Sequence, residues 1–193
     1  MKDCKARKTP FLSGVKLEEA DSSPMVNNTL YSQLIGCLLY LTHTRPDISY
    51  AVSVASRYMD QPYEIHWKAA KRILNFVQGT RTHGIFYKAK SYLDLIGFTD
   101  SDWEGDRIDR KSTSGYVFML AEGPISWSSK KQSAIALSST EEKYRRVVNA
   151  TTQCLWLQGL LGECGFESKY STTIYCYNQS TIRIYNVLTL KNG

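Results

Sequence analysis

The stretch Leu-Asp-Leu-Ile-Gly-Phe-Thr (93–99) belongs to a strand-like region of the sequence. The hydrophobic pattern changes from helical to strand-like at Gly84, where this region begins. Three other short runs have the same character: Gly-Ile-Phe-Tyr (84–87), Gly-Tyr-Val-Phe-Met-Leu (115–120) and Ile-Ser-Trp (125–127). All four are rich in β-branched and aromatic residues, and charged or glycine-containing turns separate them. Such residues pack well on a pleated surface, so the region is predicted to form a β-sheet.

Downstream of the sheet, the spacing of apolar residues predicts one long helix from about Ser139 to Glu163. Gly165 is expected to end it, because glycine readily takes the left-handed conformation in which helices terminate. A further strand is predicted at 172–177. The residues expected to form the apolar stripe of the helix are Tyr144, Val147, Val148, Thr151, Leu155 and Leu161.

Upstream of the sheet, residues 29–80 predict a bundle of three helices. The second helix is expected to begin at Arg-Pro-Asp (45–47), because a proline and an acidic residue suit a first helical turn. Gly79 is expected to end the third. Residues 1–28 lack a helical period and predict an extended or disordered lead-in. The apolar residues at helical spacing are Leu30, Leu34, Leu38 and Leu41, then Ile48, Val52, Ala55 and Met59, then Trp67, Ala70, Leu74 and Val77.

The composition is that of a globular protein with a basic excess. Of the 193 residues 42% are hydrophobic, and 24 Lys and Arg against 18 Asp and Glu give a net charge of +6, which favours a polyanionic partner such as nucleic acid. The five cysteines form no Cys-x-x-Cys pair, so a zinc site is not predicted. We expect a cytoplasmic or nuclear location, because the sequence shows neither a signal peptide nor an apolar run long enough to span a membrane.

Several motifs resemble, in the same order, segments of the Pol polyprotein of copia-type retrotransposons. Three are similar to the C-terminal segment of its reverse transcriptase: Tyr-Ser-Gln-Leu-Ile-Gly-Cys-Leu-Leu-Tyr-Leu-Thr (31–42), Thr-Arg-Pro-Asp-Ile-Ser-Tyr-Ala-Val (44–52) and His-Trp-Lys-Ala-Ala-Lys-Arg-Ile-Leu (66–74). Four are similar to its RNase H domain: Phe-Thr-Asp-Ser-Asp-Trp (98–103), Arg-Lys-Ser-Thr-Ser-Gly-Tyr (110–116), Ile-Ser-Trp-Ser-Ser-Lys-Lys-Gln (125–132) and Ala-Leu-Ser-Ser-Thr-Glu (136–141).

This resemblance implies an α+β or α/β fold in two parts. An RNase H-like mixed β-sheet flanked by helices is expected over residues 84–193, preceded over 29–80 by a small helical bundle from the reverse-transcriptase tail. The RNase H part is expected to be incomplete at its C-terminus, because the sequence beyond Thr181 does not resemble the family's remaining segment.

The family's RNase H cleaves the RNA strand of RNA–DNA hybrids with two divalent cations, Mg²⁺ or Mn²⁺, held by a cluster of carboxylates. The resemblance places the first carboxylate on Asp100. The second belongs to a Ser-Thr-Glu-Ala-Glu-Tyr motif and falls on Lys143, since residues 139–144 read Ser-Thr-Glu-Glu-Lys-Tyr. Glu141 and Glu142 are offset from Lys143 by about 200° and about 100° around a helix, so neither is expected to reach the same point.

The third ligand belongs to a Tyr-Cys-Asp-Asn-Gln-Ser motif and falls on Tyr177, because residues 175–180 read Tyr-Cys-Tyr-Asn-Gln-Ser. A phenol is neutral near pH 7 and is a poor ligand for magnesium. The fourth acid has no counterpart here. With Asp100 alone in place, we predict a pseudoenzyme that binds neither Mg²⁺ nor Mn²⁺ stably and does not hydrolyse RNA.

Two other functions remain open. One is a binding module for RNA–DNA hybrid or duplex RNA without catalysis, although solvated surface charges explain the same residues. The other is an active ribonuclease H in which Glu141 or Glu142, together with Asp102, replaces the lost ligands. No membrane partner is expected, and the oligomeric state is left open. The candidate nucleic-acid-binding residues are Arg110, Lys111, Lys130, Lys131, Lys68 and Arg72.

Overall fold

Buried side chains form two cores, one in each of the two units into which the chain divides, Met1–Ile85 and Phe86–Gly193. The structure is a computed structural model that describes residues 5–11, 17, 23–89, 94–101, 113–131, 139–166 and 171–176. Within these ranges, the side chains of 100, 101, 131, 139–143 and 146 are not described.

Over its described residues the first unit contains three α-helices, α1 (Asn28–Leu41), α2 (Ser49–Ala55) and α3 (Glu64–Gly79). Short 3-10 turns at Pro46–Ile48 and Ser56–Tyr58 flank α2. The three predicted helices are therefore confirmed. Pro46 and Asp47 lie in the 3-10 turn that leads into α2, and Gly79 is the last residue of α3.

The core of the first unit is formed where α1, α2 and α3 meet. In α1 the buried side chains are Tyr31, Ile35 and Leu38, whose spacing keeps them on one face. The prediction that Leu30 belongs to this face is wrong, because Leu30 is 55% exposed whereas Tyr31 is fully buried. The buried residues of the core are Tyr31, Ile35, Leu38, Ile48, Ala51, Val52, Ala55, Ala70, Ile73 and Phe76.

The second unit is built on a four-stranded mixed sheet. Its strands are β1 (Leu95–Ser101), β2 (Thr113–Leu120), β3 (Gly123–Lys131) and β4 (Thr173–Cys176), in the spatial order β3-β2-β1-β4. β2 is antiparallel to both β1 and β3, whereas β4 is parallel to β1. The prediction of a mixed α+β fold with an RNase H-like sheet flanked by helices is confirmed at the level of fold class.

Helix α4 (Ser139–Glu163) packs on one face of this sheet, and both of its predicted ends are confirmed. The prediction for its apolar stripe is wrong for Tyr144, Val148 and Leu155, which are exposed, whereas Leu161 packs against the core as predicted. The buried residues are instead Ala150 and Cys154, together with Leu157. Apolar residues lie on more than one side of α4, and the side with small residues allows the helix to approach the sheet closely.

On the sheet, the same core is completed by Leu95 and Phe118. Gly97 lies under the Phe118 ring, and a Cβ atom at this position would be 2.7 Å from Cε1 of that ring. The missing side chain therefore makes room for the largest fully buried residue of the sheet. A bulkier residue at this point would force the strand and the ring apart.

Residues 84–87 were predicted to form a strand, and this prediction is wrong, because no strand is found at 84–89. The Tyr87 hydroxyl donates a hydrogen bond to the carbonyl oxygen of Pro124 at 2.8 Å, and Lys88 pairs with Glu122 at 2.9 Å. Side-chain contacts rather than a backbone ladder thus hold this segment beside the turn between β2 and β3.

None of the helices in the described ranges is long and apolar enough to cross a membrane.

Candidate functional site

The carboxyl ends of β1 and β4 lie at the same edge of the sheet, because the two strands are parallel and Thr99 pairs with Cys176. Asp100 follows Thr99 in β1 and lies opposite Gly115 of β2. Thr99 is buried, and its hydroxyl donates a hydrogen bond to the carbonyl oxygen of Gly115 at 3.1 Å. Asp100 is therefore the second-last residue of β1, and its side chain is not described.

Lys143 lies in the second turn of α4, the helix that packs against β1 and β2. Its side chain is not described, and Tyr177 lies outside the described residues, directly after β4. The structure thus places the backbone of two predicted ligand positions in the same unit. Among the side chains that are described, no group of three or more His, Cys, Asp or Glu is arranged to hold a metal ion.

The predicted nucleic-acid-binding residues are divided between the two units, with Lys68 and Arg72 in the first and Lys130 and Lys131 in the second. Lys130 is exposed on β3, and Lys131 ends that strand. Lys68 is exposed on α3 and pairs with Glu64 at 3.2 Å, whereas Arg72 is half-buried. Arg110 and Lys111 lie outside the described residues.

An ion pair between a buried arginine and a partly exposed aspartate in the first unit was not anticipated from the sequence. The guanidinium of Arg45 holds the Asp47 carboxylate with two hydrogen bonds, at 2.9 Å from Nε and 2.7 Å from Nη2. It also donates to the carbonyl oxygen of Thr80 at 3.2 Å and to the hydroxyl of Thr80 at 2.7 Å. The start of α2 is thereby tied to the end of α3. The hydrogen bond from Arg45 holds the pKa of Asp47 below its usual range.

His66 is a second buried polar residue of the first unit. Its Nε2 lies 2.7 Å from the carbonyl oxygen of Leu17, and its Nδ1 accepts a hydrogen bond from the backbone N–H of Tyr63 at 2.9 Å. The Tyr58 ring stacks on the imidazole at a centroid distance of 3.9 Å. Burial lowers the pKa of His66, although the contact with Leu17 opposes this shift. These contacts define a neutral imidazole with its proton on Nε2.

The fold and the backbone of the site define a protein of the mixed α+β class whose sheet is consistent with an RNase H-like fold. The sequence is 44% identical to the retrovirus-related Pol polyprotein from transposon RE2 of Arabidopsis thaliana over 170 residues, which are 88% of this chain and 12% of the polyprotein. The polyprotein from transposon RE1 of the same plant gives the same identity and coverage.

A shorter relative is the secreted RxLR effector protein 161 of Plasmopara viticola, which is 43% identical over 133 residues, 68% of this chain and 94% of that protein. No family model and no solved structure matches the chain. Over most of its length the chain is therefore homologous to segments of retrovirus-related Pol polyproteins from transposons. It spans only about an eighth of the length of the two plant polyproteins, in accord with the 12% coverage.

Proposed function

We propose that the second unit is the remnant of a retrotransposon RNase H and that it no longer cleaves RNA. The observation that carries the proposal is the pairing of β1 with a parallel β4 at the edge where Asp100 lies. In this arrangement the positions that should supply the second and third carboxylates are occupied by Lys143 and Tyr177. The proposal therefore combines an RNase H-like framework with a defective set of ligands.

Electrostatics explains why this set of residues does not fit a pair of divalent cations. Mg²⁺ requires hard oxygen ligands, and neutralising its charge takes several carboxylates. An ammonium at position 143 would repel the cations, and a neutral phenol at position 177 binds them poorly. Catalysis by two metal ions depends on that charge to stabilise the attacking and leaving oxygens. Losing such stabilisation commonly costs about 3 kcal/mol or more for each group removed.

A cleavage assay with a gain-of-function arm tests this proposal. The purified chain is incubated with a labelled RNA–DNA hybrid in Mg²⁺ or Mn²⁺, and no cleavage above background is expected. The double variant Lys143→Glu/Tyr177→Asp should acquire measurable cleavage, because it restores two of the missing ligands.

The control for this arm is the same double variant with Asp100→Asn added, which should again be inactive. Cleavage by the unmodified chain that Asp100→Asn abolishes would overturn the proposal. That result would favour an active ribonuclease with substituted carboxylates, and Glu141→Gln, Glu142→Gln and Asp102→Asn would then show which acids replace the lost ligands.

A nucleic-acid-binding module without catalysis is the second candidate, and the exposed Lys130 on β3 favours it. Contacts to phosphates release counterions, so affinity should fall steeply with salt. In a filter-retention titration, Lys130→Gln should reduce the salt slope by about 0.7–0.9 per lost contact. Lys88→Gln is a matched control, because Lys88 is exposed in the same unit but pairs with Glu122. Equal slopes in the two variants would exclude Lys130 from the interface.

A further inference from the structure

The first unit contains a cavity of about 380 Å³ between α3 and the segment that precedes α1. Residues 5–11 lie along α3: the backbone N–H of Arg7 donates to the carbonyl oxygen of Asn75 at 3.4 Å, and Arg72 donates to the hydroxyl of Thr9 at 2.9 Å. The Phe11 ring meets the Tyr50 ring edge-on at 5.8 Å. These contacts hold one wall of the cavity in place, and α3 forms the other.

The walls of this cavity are largely apolar, with Phe11 and Leu17 on one side and Ile65 and Ala69 of α3 on the other. A cavity of about 150 Å³ is enough to hold benzene, and typical small-molecule sites begin at about 300 Å³. The space available here therefore suits an apolar body of roughly two fused aromatic rings or about ten carbon atoms.

The charged residues of the lining have one sign. Arg7, Lys68, Lys71 and Arg72 contribute cations, and no carboxylate lines the cavity within the described residues. Lys68 is partly neutralised by Glu64, and the ammonium of Lys71 lies over the Trp67 ring at 5.1 Å. Neither contact cancels the charges of Arg7 and Arg72. The described charges of the lining are therefore positive on balance, which favours an anionic ligand.

Two polar groups of the lining lack a hydrogen-bond partner among the described residues. They are Nε of Arg72, a donor, and Oδ1 of Asn75, an acceptor, and both atoms are buried. A buried polar group without a partner costs about 1–3 kcal/mol, and an anion offsets this cost only for the Arg72 donor, because Oδ1 of Asn75 requires a hydrogen-bond donor. A ligand carboxylate would accept a charge-assisted hydrogen bond from Arg72, which is stronger than a bond between neutral groups.

We propose that this cavity binds a small amphipathic anion, with an apolar body against Phe11, Leu17 and Ala69 and one anionic head group on Arg72. The proposal concerns the first unit alone and is independent of the proposed RNase H origin of the second. Apolar walls account for the body of the ligand, and the cationic side chains of the lining account for its head.

Isothermal titration of the full chain with naphthoate tests the proposal, with naphthalenemethanol as the neutral probe of similar size. Saturable one-site binding of naphthoate is expected, with the alcohol at least about tenfold weaker because it lacks the charge. Inorganic phosphate should not compete at equal concentration, because it has no apolar body. Equal binding of the two naphthalene probes, or no binding of naphthoate, would overturn the proposal.

Three variants locate the ligand. Ala69→Leu should weaken naphthoate binding about tenfold by filling the cavity without changing its charge. Arg72→Gln should weaken naphthoate binding by a similar factor. The control is Thr9→Val, which removes the same Arg72–Thr9 hydrogen bond but keeps the charge of Arg72. This control variant should bind naphthoate within about twofold of the parent chain. Thermal unfolding of each variant shows that it is folded. Binding that neither Ala69→Leu nor Arg72→Gln affects would place the ligand elsewhere and overturn the assignment.

Discussion

The two units are stabilised by different kinds of buried side chain. Within the described residues, the first unit buries three polar or charged side chains, those of Arg45, His66 and Thr80, whereas the second buries only Thr99. The core of the second unit is otherwise an apolar contact between α4 and the sheet. The first unit therefore depends on specific polar partners, whereas the second depends on packing.

On our proposal, this difference explains how the sheet keeps its shape after the metal ligands at its edge are replaced. Carboxylates gathered for metal binding repel one another in the absence of the metal, so their replacement does not weaken an apolar core. On our proposal, Lys143 and Tyr177 therefore remove catalysis and leave the packing of Phe118 under α4 intact.

Phe118→Ala should destabilise the second unit most. The ring is fully buried between Gly97 and α4, and truncating a buried phenylalanine typically costs about 3–5 kcal/mol through lost transfer energy and the cavity left behind. Hydrogen–deuterium exchange measured by mass spectrometry should show faster exchange in β1, β2 and α4 and unchanged exchange in α1–α3. Exchange that rises equally in both units would mean that they do not unfold separately. Tyr175→Ala, on an exposed ring of the same sheet, is the control.

Arg45→Met should have the second largest effect and act on the first unit. It removes four hydrogen bonds to Asp47 and Thr80 and leaves the Thr80 hydroxyl with its bond to the carbonyl oxygen of Phe76. Because the Asp47 side chain is 40% exposed and can regain water, we expect a loss of about 2–3 kcal/mol in urea unfolding. Arg81→Met, on an exposed arginine of the same unit, should change stability by less than about 0.5 kcal/mol. Equal effects of the two substitutions would contradict a stabilising role for the network.

Acidification should weaken the first unit before the second, because of His66. Its pKa is lowered in the folded chain, so the unfolded chain binds more protons and stability rises with pH. The contribution of His66 is therefore complete above its ordinary pKa of about 6.5 and is lost as the pH falls through the lower folded value. Protonating Nδ1 also removes the acceptor for the Tyr63 N–H. The measurement is the free energy of unfolding from pH 7 to pH 5.

His66→Gln should flatten that pH dependence, because glutamine does not titrate in this range. Asp47 cannot account for the effect, since its lowered pKa confines its own contribution to more acidic solution, below about pH 4. His43→Gln is the matched control, because His43 is exposed on the same unit. A pH dependence that persists in His66→Gln and disappears in His43→Gln would contradict the prediction, because it would not come from His66.

The sequence was a good guide to the backbone and a poor guide to contacts. Both ends of α4 were predicted correctly. The C-terminal end has a local signal, because Gly165 takes a positive φ of 80° just after the helix. The buried side of α4 was not predicted correctly, because its sequence offers more than one apolar stripe and only the sheet selects between them. The strand predicted at 84–87 failed for a similar reason, since β-propensity provides no pairing partner.

Sequence motifs likewise predict the positions of the candidate site, but they do not predict the polar contacts of the first unit. Arg72 and Thr9 are 63 positions apart, and Leu17 and His66 are 49 apart, so no local pattern connects them. Arg45 and Asp47 are close in sequence and were interpreted only as a helix start. Their common partner, Thr80, lies 35 residues from Arg45 and becomes visible only in the fold.

The smallest effect should come from the turn between β2 and β3, where the second unit can be stabilised. Ala121 and Glu122 have φ angles of 49° and 71°, a left-handed conformation that disfavours both side chains. Two-residue hairpin turns of this kind favour Asn-Gly. Ala121→Asn/Glu122→Gly should therefore add about 1 kcal/mol to the stability of the second unit, less the small contribution of the exposed ion pair between Lys88 and Glu122.

Glu122→Gln isolates that ion pair, and it should change stability by less than about 0.5 kcal/mol. If the double variant were no more stable than Glu122→Gln, strain in the turn would not limit the second unit. If it is more stable, exchange should slow in β2 and β3 and stay unchanged in the first unit. Because the substitutions lie in the turn between β2 and β3, whereas Asp100 lies near the carboxyl end of β1, that result would show that the sheet can be strengthened without restoring a single metal ligand.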